Sequence, residues 1–329
     1  MTEVGGFHAA HGAIWQSLYG VLVPWRYTSL EEEWQALTYE GAVIEFPDLG
    51  LIELKGLDAR EFLHNQCTLD VRGLAVDSMG DTLFLNSRGQ VEYLGTVLER
   101  REKLWVAVGL GASRPLFKRF ASYIVFDQVE LLDLSEQYRQ IRLLGPQALK
   151  LAEALGKLPT YWSVVETGGL VVARDHLGLW VLAPLEQAEE ALAKLHQAGA
   201  TPVGREAYTV WRVEHGLAAE DALGELPQEV GLGDRVNYRK GCYLGQEIMA
   251  RLEARGNARY RLMGLYGQRQ LEVGAAIERE GRPVGRVTTA VVSPKHDAIA
   301  LALLRRELAA GDQVTLGTSS ATVTELPFG

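Results

Sequence analysis

Ile52-Glu53-Leu54-Lys55-Gly56-Leu57-Asp58-Ala59 reads as a strand, a glycine turn and a helix start. The same unit returns as Ile141-Arg142-Leu143-Leu144-Gly145-Pro146-Gln147-Ala148, with Gly145 in the place of Gly56. Ile, Leu, Gly and Ala match in register, and Pro146 sits where a first helical turn tolerates it. Each copy leads into a helix, over residues 58–66 and 148–155. Strands and a later helix follow in both halves. In the first they are expected at 82–85, 91–98 and 104–108, with a helix at 114–122. In the second they are expected at 170–174 and 179–183, with a helix at 185–197 that places Leu185, Ala188, Leu192 and Leu195 on one face. The repeat is too long for a solenoid period. Against chance similarity, the preferred reading is a duplicated α+β subdomain facing its twin.

Working outward, residues 12–19 suggest a short helix. Ser29 and Glu32 stand three apart at the head of residues 29–37, as in a helix with a capping box. A short strand is expected at 43–46. A helix at 206–215 ends on Gly216, and residues 217–238 are rich in loop formers. From Arg259 onward short strands alternate with glycine: 260–265, 276–279, 283–292, 299–304, 314–316 and 321–326. Turn signals about 8–12 residues apart read as a small β-barrel. The fold class is therefore α+β: a duplicated region of two related halves, 1–135 and 136–256, then a C-terminal barrel, 257–329, with the boundary near residue 257.

Composition narrows the function. The 329 residues carry 33 Lys and Arg against 42 Asp and Glu, a formal charge of −9. That excess of acid argues against direct nucleic-acid binding while leaving room for a local basic pocket. Two cysteines, Cys67 and Cys242, make no disulfide framework and fit a reducing compartment. Residues 1–20 lack Lys, Arg and a clean apolar stretch, so no signal peptide is expected. No run approaches a membrane span. The expectation is a cytoplasmic protein without membrane partners.

The chemistry concentrates in Lys240-Gly241-Cys242-Tyr243-Leu244-Gly245-Gln246-Glu247. Glycines bracket the cysteine, so the backbone turns tightly there. Arg235, Arg239, Lys240 and Arg251 flank it, and cations favour a thiolate. The helix expected to open at Glu247 and run to residue 255 adds the positive end of its dipole. On these grounds alone a reactive thiol and a small buried one weigh about equally.

That eight-residue run is similar to the signature of the YgfZ-type folate-binding proteins, relatives of the glycine-cleavage T protein, the aminomethyltransferase. The resemblance spans nearly the whole chain. Residues 57–71 resemble the family's first helix and its Gln-x-Thr-x-Asp-Val exit. Leu83-Phe84-Leu85-Asn86-Ser87-Arg88-Gly89 resembles its strand and turn. Trp211-Arg212-Val213-Glu214-His215-Gly216 resembles its Arg-x-Glu-x-Gly helix end, and residues 285–294 fit its barrel. The resemblance implies three small domains in a ring with tetrahydrofolate in a central channel. Two departures bear on activity. The T protein carries an aspartate pair shortly after the glycine matching Gly89, where this chain has Gln90-Val91-Glu92-Tyr93-Leu94. It also carries a Tyr-Thr-Gly-Glu-Asp segment, where this chain has Asp175-His176-Leu177-Gly178-Leu179-Trp180. Both favour the YgfZ branch, which supports assembly, maintenance or repair of iron–sulfur enzymes, including tRNA-modifying ones. The alternatives are a folate-dependent aminomethyltransferase and a binding module without chemistry.

A folate site needs aromatic walls, a few placed hydrogen-bonding groups and a cation for the glutamate tail. Trp180, Tyr208 and Trp211 are candidate walls, each also at home in a core. Arg212 is the candidate for the carboxylate, against the reading of a helix-surface ion pair, with Glu214 holding it. The resemblance adds Asn86, Gln246 and Glu247 as folate contacts, and Cys242, supported by Lys240, as the candidate catalytic group. Residues 65, 66, 68 and 70 read more simply as a turn. His64 and Cys67 have a metal-like spacing but fall short of a four-ligand set, so no metal is expected. Partners are folate and iron–sulfur enzymes or their assembly proteins.

Overall fold

The computed structural model describes residues 6–109, 111–256 and 258–329. The chain forms two compact units. One comprises Met1–Thr82 and Tyr93–Tyr208, the other Leu83–Glu92 and Thr209–Gly329.

The first unit begins with α1 (Gly6–Ala10) and a two-stranded antiparallel ribbon, β1 (Ile14–Leu18) with β2 (Val21–Arg26). The helix expected at 12–19 is thus a strand. Ile14 and Trp15 favour a pleated surface over a helix. Tyr19 and Gly20, at φ 52° and 82°, form the two-residue turn that sets Leu18 opposite Val21. α2 (Leu30–Tyr39) carries the expected capping box: Ser29 accepts from the Glu32 N–H, and Glu32 reaches back to the Ser29 N–H.

The first copy of the repeat supplies β3 (Ala42–Phe46), β4 (Gly50–Lys55), α3 (Ala59–Gln66), β5 (Met79–Leu85), β6 (Val91–Arg100), β7 (Lys103–Val108), α4 (Ser113–Tyr123) and β8 (Glu130–Asp133). The second supplies β9 (Tyr138–Leu144), α5 (Ala148–Ala152), β10 (Val164–Thr167), β11 (Leu170–Arg174), β12 (Gly178–Pro184), α6 (Leu185–Gln197) and β13 (Thr201–Pro202). Two sheets result, ordered β5-β6-β7-β4-β8 and β10-β11-β12-β9-β3-β13.

The internal likeness extends to register. Ile52 of β4 lies opposite Val106 of β7, and Ile141 of β9 lies opposite Val181 of β12, both antiparallel. Gly56 and Gly145 both turn with positive φ, 117° and 93°. The halves also share a core. Leu51, Leu98, Trp105 and Ala107 from the first sheet cluster with Val171, Ala173, Trp180 and Leu182 from the second. Helix α6 buries Ala188, Leu192 and Leu195 against Val43, Ile141 and Val181. Leu185, expected on that face, is 42% exposed at the first turn.

Helix α7 (Arg205–Glu214) carries the chain into the second unit, where α8 (Gln246–Arg255) follows the cysteine loop. The barrel strands are β14 (Tyr260–Gly267), β15 (Ala276–Arg279), β16 (Arg282–Ser293), β17 (Asp297–Arg305), β18 (Gln313–Leu316) and β19 (Ser319–Thr324). They close in the order β14-β17-β16-β15-β18-β19. Closure removes free strand edges. Met263, Ile277, Ala302 and Val323 are among the side chains that fill the barrel. On another of its faces Ile299, Leu301 and Phe328 pack against Val213 of α7. The Glu229 carboxylate accepts the N–H groups of Arg259 and Tyr260 at 3.0 and 3.1 Å, which ties the start of β14 to the preceding loop. The boundary expected near residue 257 falls on Asn257, outside the described residues. Among the described residues no helix is long and apolar enough to cross a membrane.

Candidate functional site

The cysteine loop rests on a turn from far back in the chain. Asn86 shapes that turn: its side-chain oxygen accepts the N–H groups of Arg88 and Gln90 at 2.9 and 3.0 Å. Its backbone N–H and carbonyl bond Gln90 and Gly89. Gln90 donates to the Gly224 carbonyl at 2.6 Å, and Val91 pairs with Gly224 and Glu225 through the main chain. Gly245 sits directly on this turn. It has φ 86°, and a Cβ there would lie 2.7 Å from the Asn86 carbonyl and 3.2 Å from Gly89. Gly89, at φ 75°, would in turn place a Cβ 2.8 Å from Met249 and 2.9 Å from Ile248 of α8. Only glycine allows both the left-handed backbone and the approach. The two glycines thus lock the turn and the loop together.

Residues before Gly245 are held by local bonds. Asn237 accepts the N–H groups of Arg239 and Lys240 at 2.9 and 3.0 Å. Lys240 is buried, with its ammonium 5.2 Å from the centre of the Tyr243 ring. Such a desolvated cation–π contact is worth about 2 kcal/mol. Tyr243 is buried too, and its hydroxyl has no hydrogen-bond partner among the described residues. Burial first, then Tyr238 and Glu253, pushes its phenol well above the usual range, so it stays protonated. Between these buried neighbours Cys242 is exposed. The anchors of the loop point inward and its thiol is left at the surface.

Helix α8 begins on a glycine that offers no side-chain cap. Gln246 N–H bonds the Tyr243 carbonyl at 3.2 Å, and its side chain is half-buried. Glu247 and Arg251 form an exposed ion pair one helical turn apart. Arg251, expected to act on the thiol, therefore has a carboxylate of its own.

Arg212 lies elsewhere in the same unit. Its guanidinium is buried, 6% exposed, and bonds the Asp221 carboxylate at 2.7 Å, the Leu217 carbonyl at 2.5 Å and the Thr289 hydroxyl at 3.2 Å. Thr289 also donates to Asp221 at 2.6 Å. Burial alone would raise the Asp221 carboxyl; the Arg212 charge and threonine hydroxyls overcome this and hold it below the aspartate range. Arg212 is thus already paired with a carboxylate of the chain, and the pair joins α7 to β16 of the barrel. Glu214, expected to hold Arg212, accepts from the Ser293 hydroxyl at 2.5 Å, and its carbonyl accepts the Phe328 N–H. Sequence reasoning missed Asp221. Its position in a single 3-10 turn, Glu220–Ala222, nine residues past Arg212, is too short to give a periodic signal.

The aromatic candidates divide. Trp211 is 6% exposed and lies 4.3 Å from the His215 ring. Tyr208 belongs to the first unit and packs edge-on against Phe46 at 5.0 Å. Trp180, also in the first unit, is buried with Arg142 4.9 Å above its ring. Its ring N–H has no partner among the described residues. Trp211, Arg212, Asn86, Lys240, Cys242, Gln246 and Glu247 belong to the second unit; Trp180 and Tyr208 do not.

Comparisons with known proteins agree with this architecture. The family of the GCVT N-terminal domain matches residues 5–164, and that of the Glycine cleavage T-protein C-terminal barrel domain matches 261–328. The Aminomethyltransferase of Rubrobacter xylanophilus is 28% identical over 348 residues, covering 98% of this chain and 92% of that protein. The tRNA-modifying protein YgfZ of Aliivibrio fischeri is 26% identical over 307 residues, covering 87% and 92%. The crystal structure of glycine cleavage system aminomethyltransferase T from Bartonella henselae matches with a TM-score of 0.89 at 20% identity, covering 98% of this chain and 96% of that one. At that identity the likeness is one of fold. With matches at both the duplicated region and the barrel, the chain belongs to the glycine-cleavage T-protein superfamily and is consistent with its YgfZ-type members.

Proposed function

We propose that this is a cytoplasmic tetrahydrofolate-binding protein that supports the assembly, maintenance or repair of iron–sulfur enzymes, tRNA-modifying ones among them. One observation carries the reading. Cys242 is exposed on a loop locked to the 86–89 turn, and the positions just after Gly89 hold no aspartate pair. Gln90 and Val91 there are tied to Gly224 and Glu225. By the family pattern a T-protein transferase carries an aspartate pair after the glycine matching Gly89 and an acid after the one matching Gly178; this chain has neither. The named function of the YgfZ relatives points the same way.

The second unit offers groups suited to folate. The Tyr243 hydroxyl is an orphaned polar group that a heterocycle's donors or acceptors would satisfy, and the half-buried Gln246 amide stands three residues on. Asn86 and Glu247 flank them in the same turn and helix start, and Trp211 is proposed as an apolar contact. Arg212 is assigned a positioning role through Asp221. Trp180's orphaned N–H and Tyr208 are separate candidates within the first unit. When bound, tetrahydrofolate would supply one-carbon chemistry; the chain's part is to bind it and present Cys242, with Lys240 holding the loop.

The test is complementation of a null strain, read as the activity of its iron–sulfur enzymes, with wild type and Cys242→Ala. Rescue by wild type and not by Cys242→Ala is expected, together with saturable tetrahydrofolate binding by calorimetry. Equal rescue by both would reject the thiol's role. Production of methylenetetrahydrofolate from a lipoyl-bound aminomethyl donor would instead establish the aminomethyltransferase.

A further inference from the structure

The first unit contains a cavity of about 660 Å³ that shares no residue with the cysteine loop. That volume lies within the range of small-molecule sites, about 300–1,000 Å³. Its floor is polar and buried. His8 of α1 meets the Glu45 carboxylate of β3 at 2.5 Å through Nε2, and the Tyr27 hydroxyl at 2.7 Å through Nδ1. Arg139 of β9 approaches the other oxygen of Glu45 at 3.4 Å. His8 is 6% and Glu45 9% exposed. Burial, reinforced by Glu45 and Glu33, keeps the Tyr27 phenol far above its usual range. It therefore holds its proton and completes the chain of bonds. With Arg139 beside it, Glu45 is charge-compensated.

The walls are apolar and come from two elements. Trp15, Val21 and Leu22 of the β1–β2 ribbon form one side, and Leu185, Ala188 and Leu192 of α6 form part of another. This accounts for the exposure of Leu185 noted above. Trp15 stands edge-on to His8 at 5.3 Å. The cavity is also lined by Glu186 and Glu189, both exposed. Neither has an ion-pair partner among the described residues. With histidine counted as neutral, Arg139 and Glu45 cancel and these two carboxylates give the cavity lining a formal negative charge. A small anion would be repelled, and a neutral apolar molecule would leave that field unanswered. The combination matches an ammonium carried on a flat apolar body, which the indole of Trp15 and the carboxylates attract together.

We propose that this cavity is a second ligand site, for a small organic cation with an aromatic or apolar body. Among the described residues, the ribbon that forms one wall pairs with no other strand. A two-stranded ribbon is marginal alone, so an occupant packed beneath it should also steady it.

Tryptamine is the probe, titrated by calorimetry at low salt into the full chain. Indole-3-propionate is the control of similar shape and opposite charge. Saturable tryptamine binding is expected, with indole-3-propionate at least about tenfold weaker. In Glu186→Gln/Glu189→Gln, tryptamine affinity should fall about tenfold. Both side chains are exposed, so this variant should keep its melting temperature. Hydrogen exchange in β1 and β2 should slow when tryptamine is added. No saturation up to about 10 mM, equal binding of the two probes, or unchanged affinity in the double variant would each overturn the proposal.

Discussion

Arg212 and the two cysteines show how burial decides a side chain's role. Arg212 is charged, sits beside an aromatic residue and lies in a family-like segment, which suggests a ligand clamp. In the structure its fork is filled by Asp221, Leu217 and Thr289. Removing one partner of a buried pair leaves the other charge uncompensated, at a loss of about 3–5 kcal/mol. Arg212→Ala should therefore lose about that much stability in urea unfolding, and Arg212→Ala/Asp221→Ala should recover part of it. A fully stable Arg212→Ala would show that the pair contributes nothing. The cysteines make the opposite contrast. Cys67 is 1% exposed and Cys242 lies at the surface. Alkylation of the native protein followed by peptide mass spectrometry should label Cys242 fast and Cys67 only after unfolding. Equal labelling of both would contradict the loop's geometry.

At the scale of elements, the join between the 86–89 turn and α8 depends on Gly245 and Gly89. A side chain at Gly245 meets backbone, the Asn86 carbonyl, which cannot rotate away. Left-handed strain on a non-glycine residue adds about 1–3 kcal/mol. Gly245→Ala should lower stability by at least that range and also alter the labelling rate of Cys242, since the loop must shift. A variant with unchanged stability and labelling would show that the close approach is not maintained in solution. The ribbon carries a related lesson. Residues 12–19 read locally as a helix, yet β1 forms because its partner β2 lies just beyond a tight turn. Pairing with a neighbouring segment outweighs a weak local preference.

Across the whole molecule, each unit contains a buried aspartate whose carboxyl a neighbouring arginine holds below its usual range. Asp175 pairs with Arg142 at 2.6 Å in the first unit, and Asp221 pairs with Arg212 in the second. In both, burial would raise the carboxyl, but the arginine and hydrogen bonds prevail and lower it. A depressed carboxyl contributes stability that is fully present above the ordinary aspartate value of 3.8 and lost as pH falls through the lower folded value. Glu33, raised by burial against its hydrogen bonds, acts with the opposite sign above its own ordinary value of 4.5. Urea midpoints should therefore fall steeply below about pH 4, and Asp175→Asn and Asp221→Asn should each make that fall shallower. An acid limb unchanged in both variants would refute the linkage. The local sequence by itself determined the repeated strand–turn–helix units, the capped α2, the barrel strands and the glycine-hinged cysteine loop. Those features depend on spacing, caps and turn residues, which act within a few positions along the chain. Tertiary structure alone decided that Asp221 answers Arg212, that the 86–89 turn carries Gly245, and that a ribbon and α6 wall an acidic cavity. Each of these joins segments far apart in sequence or set by irregular loops, and only packing brings such groups within a few ångströms.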